Sequence, residues 1–312
     1  MPTTAKILIT PRALTRDGHP ALDQLRAAGY TLVFCTAGKT PTEAELMQLI
    51  PDCVGWLAGV EPVSAAVIDA AHSLKAISRN GTGVDNLPME AIRQKGIAVL
   101  RAEGANARGV AELAITLMMS AMRHVPAIDA GMKSGNWLRL LGREIEGRTI
   151  AVIGYGRIGS EFAKMACGLG ARVRGYDPFI TQPTRPIGDF VWHRDFDLLD
   201  GADVVSLHAP GRSDGQPLLG AIELSRLAPG AIVVNTARAS LVSAEAMLDA
   251  LGSGQIGVYA TDVFEQEPPL PSPLLAHPNV IRTSHIGGYT EESVTRATTT
   301  AVENLLRALG PA

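Results

Sequence analysis

An α/β fold built as two doubly wound parallel-sheet domains is what this sequence predicts. Three observations carry the prediction. Short apolar runs rich in β-branched residues alternate with helical patterns, and repeated βα units give parallel sheets covered on both faces. One such run, Ile150 to Ile153, leads straight into Gly154-Tyr-Gly156-Arg-Ile-Gly159, and a helical pattern follows from Arg157 to Leu169. The length of 312 residues suggests about two domains.

Taken in order, β runs fall at Ile7–Ile9, Leu32–Phe34, Val54–Leu57, Leu74–Ile77 and Ile97–Leu100, with helical patterns at Ala21–Ala28, Thr42–Ile50, Ser64–Ala71 and Pro88–Gln94. Gly29 sits where a helix C′ glycine belongs, and Thr42 to Glu45 reads as a capping pattern. The loop Arg79-Asn-Gly81-Thr-Gly83-Val-Asp-Asn86 follows the fourth strand. Its glycines allow backbone N–H groups to face an anion, with Arg79 adding charge; a tight turn alone would read the same. A helical pattern from Ala107 to Arg123, with Asn106 as N-cap, is apolar on nearly every face, which predicts burial between domains or subunits. An irregular arm, Gly131 to Gly147, carries Trp137 and Arg139.

After the glycine-rich turn come a strand from Ala171 to Tyr176, a proline-rich surface loop from Pro178 to Pro186, and a short strand at Val191-Trp192. Further strands run Ala202–His208, Ala231–Arg238, Gly257–Val263 and Val280–Thr283, and an amphipathic helix spans Glu291 to Leu309.

Composition narrows the function classes. Apolar content of 46% supplies buried cores, and a net charge of −3 gives no basic footprint for nucleic acid. The three cysteines form no C-x-x-C pair, which suits a reducing compartment. No signal segment or membrane span is apparent, and a cytoplasmic location is expected. No Cys/His cluster offers ligands to a metal.

Each glycine of the fingerprint has a job. Gly154 makes the tight turn, Gly156 lets backbone approach a pyrophosphate, and Gly159 lets helix pack close on strand. An acid is expected about 20 residues further on to accept from ribose hydroxyls, and Asp177 stands there, at the end of the next strand. A carboxylate at that place favours NAD over NADP.

Three polar residues, Arg238, Glu267 and His285, follow three later strand ends. In an open α/β sheet ligands bind beyond those ends. A guanidinium clamps a carboxylate in a fork, an imidazole exchanges a proton near neutral pH, and a carboxylate fixes the imidazole tautomer. The set suits hydride transfer at a 2-oxo or 2-hydroxy acid. From spacing alone, a surface ion pair, a solvated loop acid and a satisfied core histidine stay open.

The motifs Asn235-Thr-Ala-Arg238, Asp262-Val-Phe-Glu-Gln-Glu267-Pro268 and Thr283-Ser-His285-Ile-Gly-Gly288, together with the Gly154–Gly159 turn, resemble the D-isomer-specific 2-hydroxyacid dehydrogenase family. Arg79 to Asn86, Gly104 to Leu113 and Thr15 to Pro20 are similar to its phosphoglycerate dehydrogenase branch. The resemblance covers essentially the whole chain. It implies a Rossmann NAD domain (residues 99–285) and a discontinuous flavodoxin-like substrate domain (1–98 and 286–312), with the active site in the cleft between them. It implies Arg238, His285 and Glu267 as the catalytic set, and Arg79, Asn80, Gly81 and Arg139 as substrate contacts. NAD contacts carry over to Thr82, Ala111, Gly154, Gly156, Arg157, Ile158, Gly159, Asp177, Ala209, Thr236, Ala237, Asp262 and Gly288. A homodimer is implied, with the long helix and the Trp137 arm at its interface. The expected reaction interconverts 3-phosphoglycerate and 3-phosphohydroxypyruvate; the alternatives are glyoxylate/hydroxypyruvate reduction and a non-catalytic NAD sensor.

The chain departs from the family pattern at Ala239, where glycine is usual, and at Ser284, where proline is usual. Leu57-Ala58-Gly59 lacks an arginine that some phosphoglycerate enzymes use for phosphate, leaving Arg79 and Arg139 as expected phosphate contacts. No regulatory domain follows Ala312, so serine feedback through one is not expected.

Overall fold

The computed structural model describes residues 5–181, 183, 188–212 and 214–312. The proline-rich loop expected from Pro178 to Pro186 therefore lies partly outside the described residues. The chain divides into unit 1, residues 1–106 with 289–312, and unit 2, residues 107–288.

Unit 1 carries strands β1 (Lys6–Ile9), β2 (Thr31–Phe34), β3 (Cys53–Ala58), β4 (Ala76–Arg79) and β5 (Ala98–Arg101), with helices α1 (Arg12–Asp17), α2 (Leu22–Ala27), α3 (Glu43–Leu49), α4 (Ala65–Ala70) and α5 (Met89–Gln94). The strands pair in parallel in the order β2-β1-β3-β4-β5, the flavodoxin-like order with its switch point between β1 and β3. Local chemistry sets the ends. The Thr42 hydroxyl accepts from Glu45 N–H at the start of α3, and Ser64 accepts from Val67 N–H for α4, while Gly29, at φ 95°, ends the α2 turn. Helix α1 lies where no element was expected. The last helix, α12 (Glu291–Leu309), packs Ala301, Val302 and Leu305 onto Ile7, Ile9 and Leu57. Gly55 makes room for it: a Cβ there would stand 2.7 Å from Leu309 Cδ1.

Unit 2 begins with α6 (Ala107–Met122) and α7 (Val125–Lys133), followed by irregular chain to Arg148. Then come β6 (Thr149–Ile153), α8 (Arg157–Gly168), β7 (Arg172–Tyr176), β8 (Phe190–Trp192), β9 (Val204–Leu207), α9 (Ala221–Ser225), β10 (Ala231–Asn235), α10 (Ala244–Gly252), β11 (Ile256–Thr261), α11 (Pro273–Ala276) and β12 (Val280–Arg282). The seven strands are all parallel, ordered β12-β11-β10-β9-β6-β7-β8. Counted from β6, this is the doubly wound dinucleotide order with one strand added, and its switch point lies between β6 and β9.

Strand alternation feeds a core on each face: Ile150 and Val152 join one cluster, Ala151 and Ile153 the other. The expectation for α6 needs correcting. Its Ala114, Leu117, Met118 and Ala121 lie in unit 2's own core with Phe162 and Ala166 of α8. An all-apolar helix signals burial but not which core buries it. Asn106 does not cap α6, because its Oδ1 is buried without a hydrogen-bond partner among the described residues. No helix among the described residues is long and apolar enough to cross a membrane.

Candidate active site

Three neighbouring strands of unit 2, β10, β11 and β12, deliver the expected trio from their carboxyl ends. Asn235 ends β10, and its buried side chain shapes the turn that follows. Its Oδ1 accepts from Ala237 N–H at 3.0 Å and its Nδ2 donates to Arg238 C=O at 2.8 Å. Arg238 is half-buried and its Nη1 donates to Ala237 C=O at 2.7 Å.

Glu267 follows β11 and His285 follows β12. His285 Nδ1 lies 2.8 Å from both oxygens of Glu267. A carboxylate only accepts, so Nδ1 carries the proton and Nε2 is the nitrogen left to exchange one. Glu267 Oε1 also accepts from Phe264 N–H at 3.3 Å. His285 stands in the left-handed region at φ 55°, which few residues other than glycine occupy and in which Asn, Asp and His are the enriched exceptions.

At the β6–β9 switch point the three glycines separate by cause. Gly154 has φ +87°, and a Cβ on it would meet Ala209 N at 2.6 Å. A Cβ on Gly159 would stand 1.9 Å from Gly154 O. The fold therefore demands both. Gly156 has an ordinary φ of −70°, and its missing Cβ faces open space. Nothing among the described residues explains glycine there, whereas a phosphate lying on the backbone does. Gly156 caps α8 without a side chain, so the first-turn N–H groups have no side-chain cap. Asp177 Oδ2 accepts from Tyr155 N–H at 2.8 Å and Oδ1 from Phe179 N–H at 2.9 Å, which ties the glycine turn to the end of β7. Thr236 Oγ1 is buried with no hydrogen-bond partner among the described atoms. An open backbone cradle, an acid at the second strand end and an unsatisfied hydroxyl together fit a dinucleotide. Arg157 and Ile158 open α8, Ala209 follows β9, and Ala237 and Gly288 lie in the two trio loops.

The chain matches the family model described as "D-isomer specific 2-hydroxyacid dehydrogenase, NAD binding domain" over residues 115–287. The chain belongs to this family. It is 40% identical over 279 residues to a D-3-phosphoglycerate dehydrogenase of Archaeoglobus fulgidus, covering 88% of this chain and 52% of that one. It is 36% identical over 273 residues to a hydroxypyruvate reductase of Thermotoga maritima, covering 85% and 88%. A solved structure of a protein from Thermus thermophilus superposes with TM-score 0.84 at 34% identity, covering 97% and 96%. The chain spans about half the length of the phosphoglycerate dehydrogenases it matches.

As a member of this family, the chain carries its NAD-binding domain in unit 2. One expected cofactor contact needs correcting: Ala111 is fully buried in the unit 2 core and offers no surface to a ligand. Thr82 lies in unit 1 and is half-buried.

The expected substrate loop also differs from its reading. Arg79 is buried. Its Nη1 donates toward Ala58 C=O at 3.4 Å and Asn80 C=O at 3.5 Å, and its Nε has no partner among the described residues. Strand pairing runs one residue past β4, so Asn80 N–H is already spent on Ala58 C=O at 2.9 Å. Gly81, at φ 152°, still accepts from Ala102 N–H at 3.0 Å through its C=O, and its own N–H follows the last one spent on β3. Beside this loop sits a carboxyl that sequence reasoning missed. Glu61 is buried at the β1–β3 switch point, accepting from Thr10 Oγ1–H and, at 2.9 Å, from Gly59 N–H. Burial pushes its carboxyl above the usual range, and burial pulls the Arg79 guanidinium down. Arg139 is exposed on the chain after α7.

Proposed function

We propose that this protein interconverts a D-2-hydroxy acid and its 2-oxo acid with NAD, with 3-phosphoglycerate and 3-phosphohydroxypyruvate as the substrate pair. The observation that carries the class is the His285–Glu267 pair, bonded through Nδ1 at 2.8 Å, at a strand end near that of Arg238. The Gly154–Gly159 turn would hold NAD, which when bound would supply or take up the hydride. Arg238 clamps the substrate carboxylate and polarises the neighbouring carbonyl. His285 Nε2 gives a proton to the carbonyl oxygen in reduction and takes it back in oxidation. Glu267 holds the tautomer and offsets the charge on the imidazolium. Gly81 N–H is assigned to the substrate carboxylate, and Arg139 to the phosphate. Gly156, Arg157, Ile158, Asp177, Ala209, Thr236, Ala237 and Gly288 are assigned to NAD.

Two observations favour hydroxypyruvate as a second reading. The Thermotoga maritima hydroxypyruvate reductase matches along 88% of its own length, and the Arg79 guanidinium is buried against the Ala58 and Asn80 carbonyls. An NADH absorbance assay over a panel of 2-oxo acids decides. A higher kcat/KM for phosphohydroxypyruvate than for hydroxypyruvate supports the first reading, and the reverse order the second. No turnover with any 2-oxo acid overturns the class.

The homodimer belongs to the same proposal. Met132, Trp137, Leu140 and Leu141 are exposed on α7 and the chain after it, Leu141 to 97%. A run of exposed apolar side chains marks an interaction surface. Light scattering should show a dimer, and Leu141→Ser should shift it toward monomer; a monomeric wild type contradicts this.

A further inference from the structure

Asp262 lies one residue past β11 and is buried. All three hydrogen bonds its carboxylate accepts from the described residues come from the loop that carries His285. Oδ1 accepts from Thr283 Oγ1–H at 2.6 Å and from Ile286 N–H at 2.9 Å. Oδ2 accepts from Gly287 N–H at 2.8 Å. The donors flank His285 on both sides, and His285 itself is the residue at φ 55°. Asp262 N–H in turn donates to Asn235 C=O at 3.0 Å, which anchors the carboxylate to β10. The approach is tight: a Cβ on Gly287 would stand 3.2 Å from Asp262 Oδ2.

We propose that Asp262 is the positioning residue for His285, holding the backbone on either side so that the imidazole meets Glu267. This rests on the acid–base role proposed for His285. The same device recurs one strand away, where buried Asn235 brackets Arg238 through Ala237 N–H and Arg238 C=O. The chemistry at position 262 is specific to a carboxylate. All three partners are donors, and a carboxylate has about four lone-pair sites to offer them. An amide of the same size turns its NH2 toward at least one donor, so Asp262→Asn opens the clamp with little change in volume. A direct cofactor contact at Asp262 predicts a different result, namely a change in NADH affinity.

The test uses the full chain with Asp262→Asn, Thr283→Val, His285→Ala and the two double variants containing His285→Ala. NADH dissociation constants come from nucleotide fluorescence, and kcat from NADH oxidation with the best 2-oxo acid. Misplacing a reacting group by about 1 Å costs about 10²-fold, so kcat of Asp262→Asn should fall about 10²-fold while the NADH Kd holds. Thr283→Val should move kcat the same way and by less. Because Asp262 acts through His285, each double variant should be no slower than His285→Ala alone. Loss of NADH affinity with kcat intact overturns the proposal, as does an additive loss in the double variants. If Asp262→Asn does not fold, the Thr283→Val cycle decides by the same criteria. A wild type that turns over no 2-oxo acid removes the functional reading and this inference together, whereas an active wild type with an insensitive Asp262→Asn removes this inference alone.

Discussion

At the carboxyl end of the unit 1 sheet, Glu61 and Arg79 are 2% and 6% exposed. At the carboxyl end of the unit 2 sheet, the side chains of Glu267 and His285 are 40% and 50% exposed. Both places hold an acid and a base on neighbouring strand ends, yet they are built for opposite ends. For the first pair burial is the largest influence, raising the Glu61 carboxyl and lowering the Arg79 guanidinium. Thr10 and Gly59 fix the acid, and Ala58 and Asn80 fix the base. Such groups hold strand ends together and cannot follow a substrate. The second pair stands in solvent, where an ion pair adds at most about 1 kcal/mol. What it retains is reach, with one ring nitrogen fixed and the other outward. The comparison teaches that burial, rather than residue type, separates the pair that holds the fold from the pair proposed to react.

The largest effect that tests this contrast is His285→Ala. Loss of general acid–base catalysis should lower kcat by about 10²–10⁴-fold, with NADH binding retained. The unfolding free energy should stay within about 0.5 kcal/mol of wild type, as for an exposed substitution. A large loss of stability in denaturant titrations would break the contrast by making the exposed pair structural.

A smaller effect sharpens it from inside unit 2. His208, one residue past β9, has Nδ1 sealed from solvent without a partner among the described residues, while Nε2 meets Ser206 Oγ at 2.9 Å. Burial pushes the imidazole from 6.5 down to about 3. The unfolded chain then takes a proton below about pH 6.5 that the folded chain refuses until about pH 3. Stability should therefore fall as pH drops through that window, by about 1.4 kcal/mol per pH unit from this group. His208→Asn should remove that part of the slope. Urea midpoints at about pH 7 and about pH 5 check it: the advantage of wild type over the variant should shrink on acidification, and a constant gap would show that the imidazole protonates freely in the fold.

The sequence carried much of this. Alternating βα runs located both parallel sheets, because period and glycine punctuation follow directly from backbone geometry. Gly154 and Gly159 were readable for the same reason, and the structure adds that, of the three fingerprint glycines, Gly156 alone has open space at its missing Cβ. What was not readable depends on three-dimensional partners. Asn80 N–H looked free to meet an anion because nothing in a sequence shows that strand pairing runs on to it. Ala111 looked like a cofactor contact because motif position says nothing of burial. That the Asp262 carboxylate accepts from the chain on both sides of His285 was likewise not readable. The apolar surface of α6 announced burial without naming the core.

The most direct measurement of the central claim sets Glu61→Gln beside Glu267→Gln, reading unfolding free energy and turnover per folded molecule in both. Glu267→Gln should lose turnover by about tenfold or more, within the range of acid–base assistance, at wild-type stability. Glu61→Gln should lose about 1–3 kcal/mol of stability, the cost of disturbing a buried polar group, while each folded molecule turns over as wild type does. The opposite pattern, with Glu61→Gln stable but slow and Glu267→Gln fast but unstable, would contradict the account.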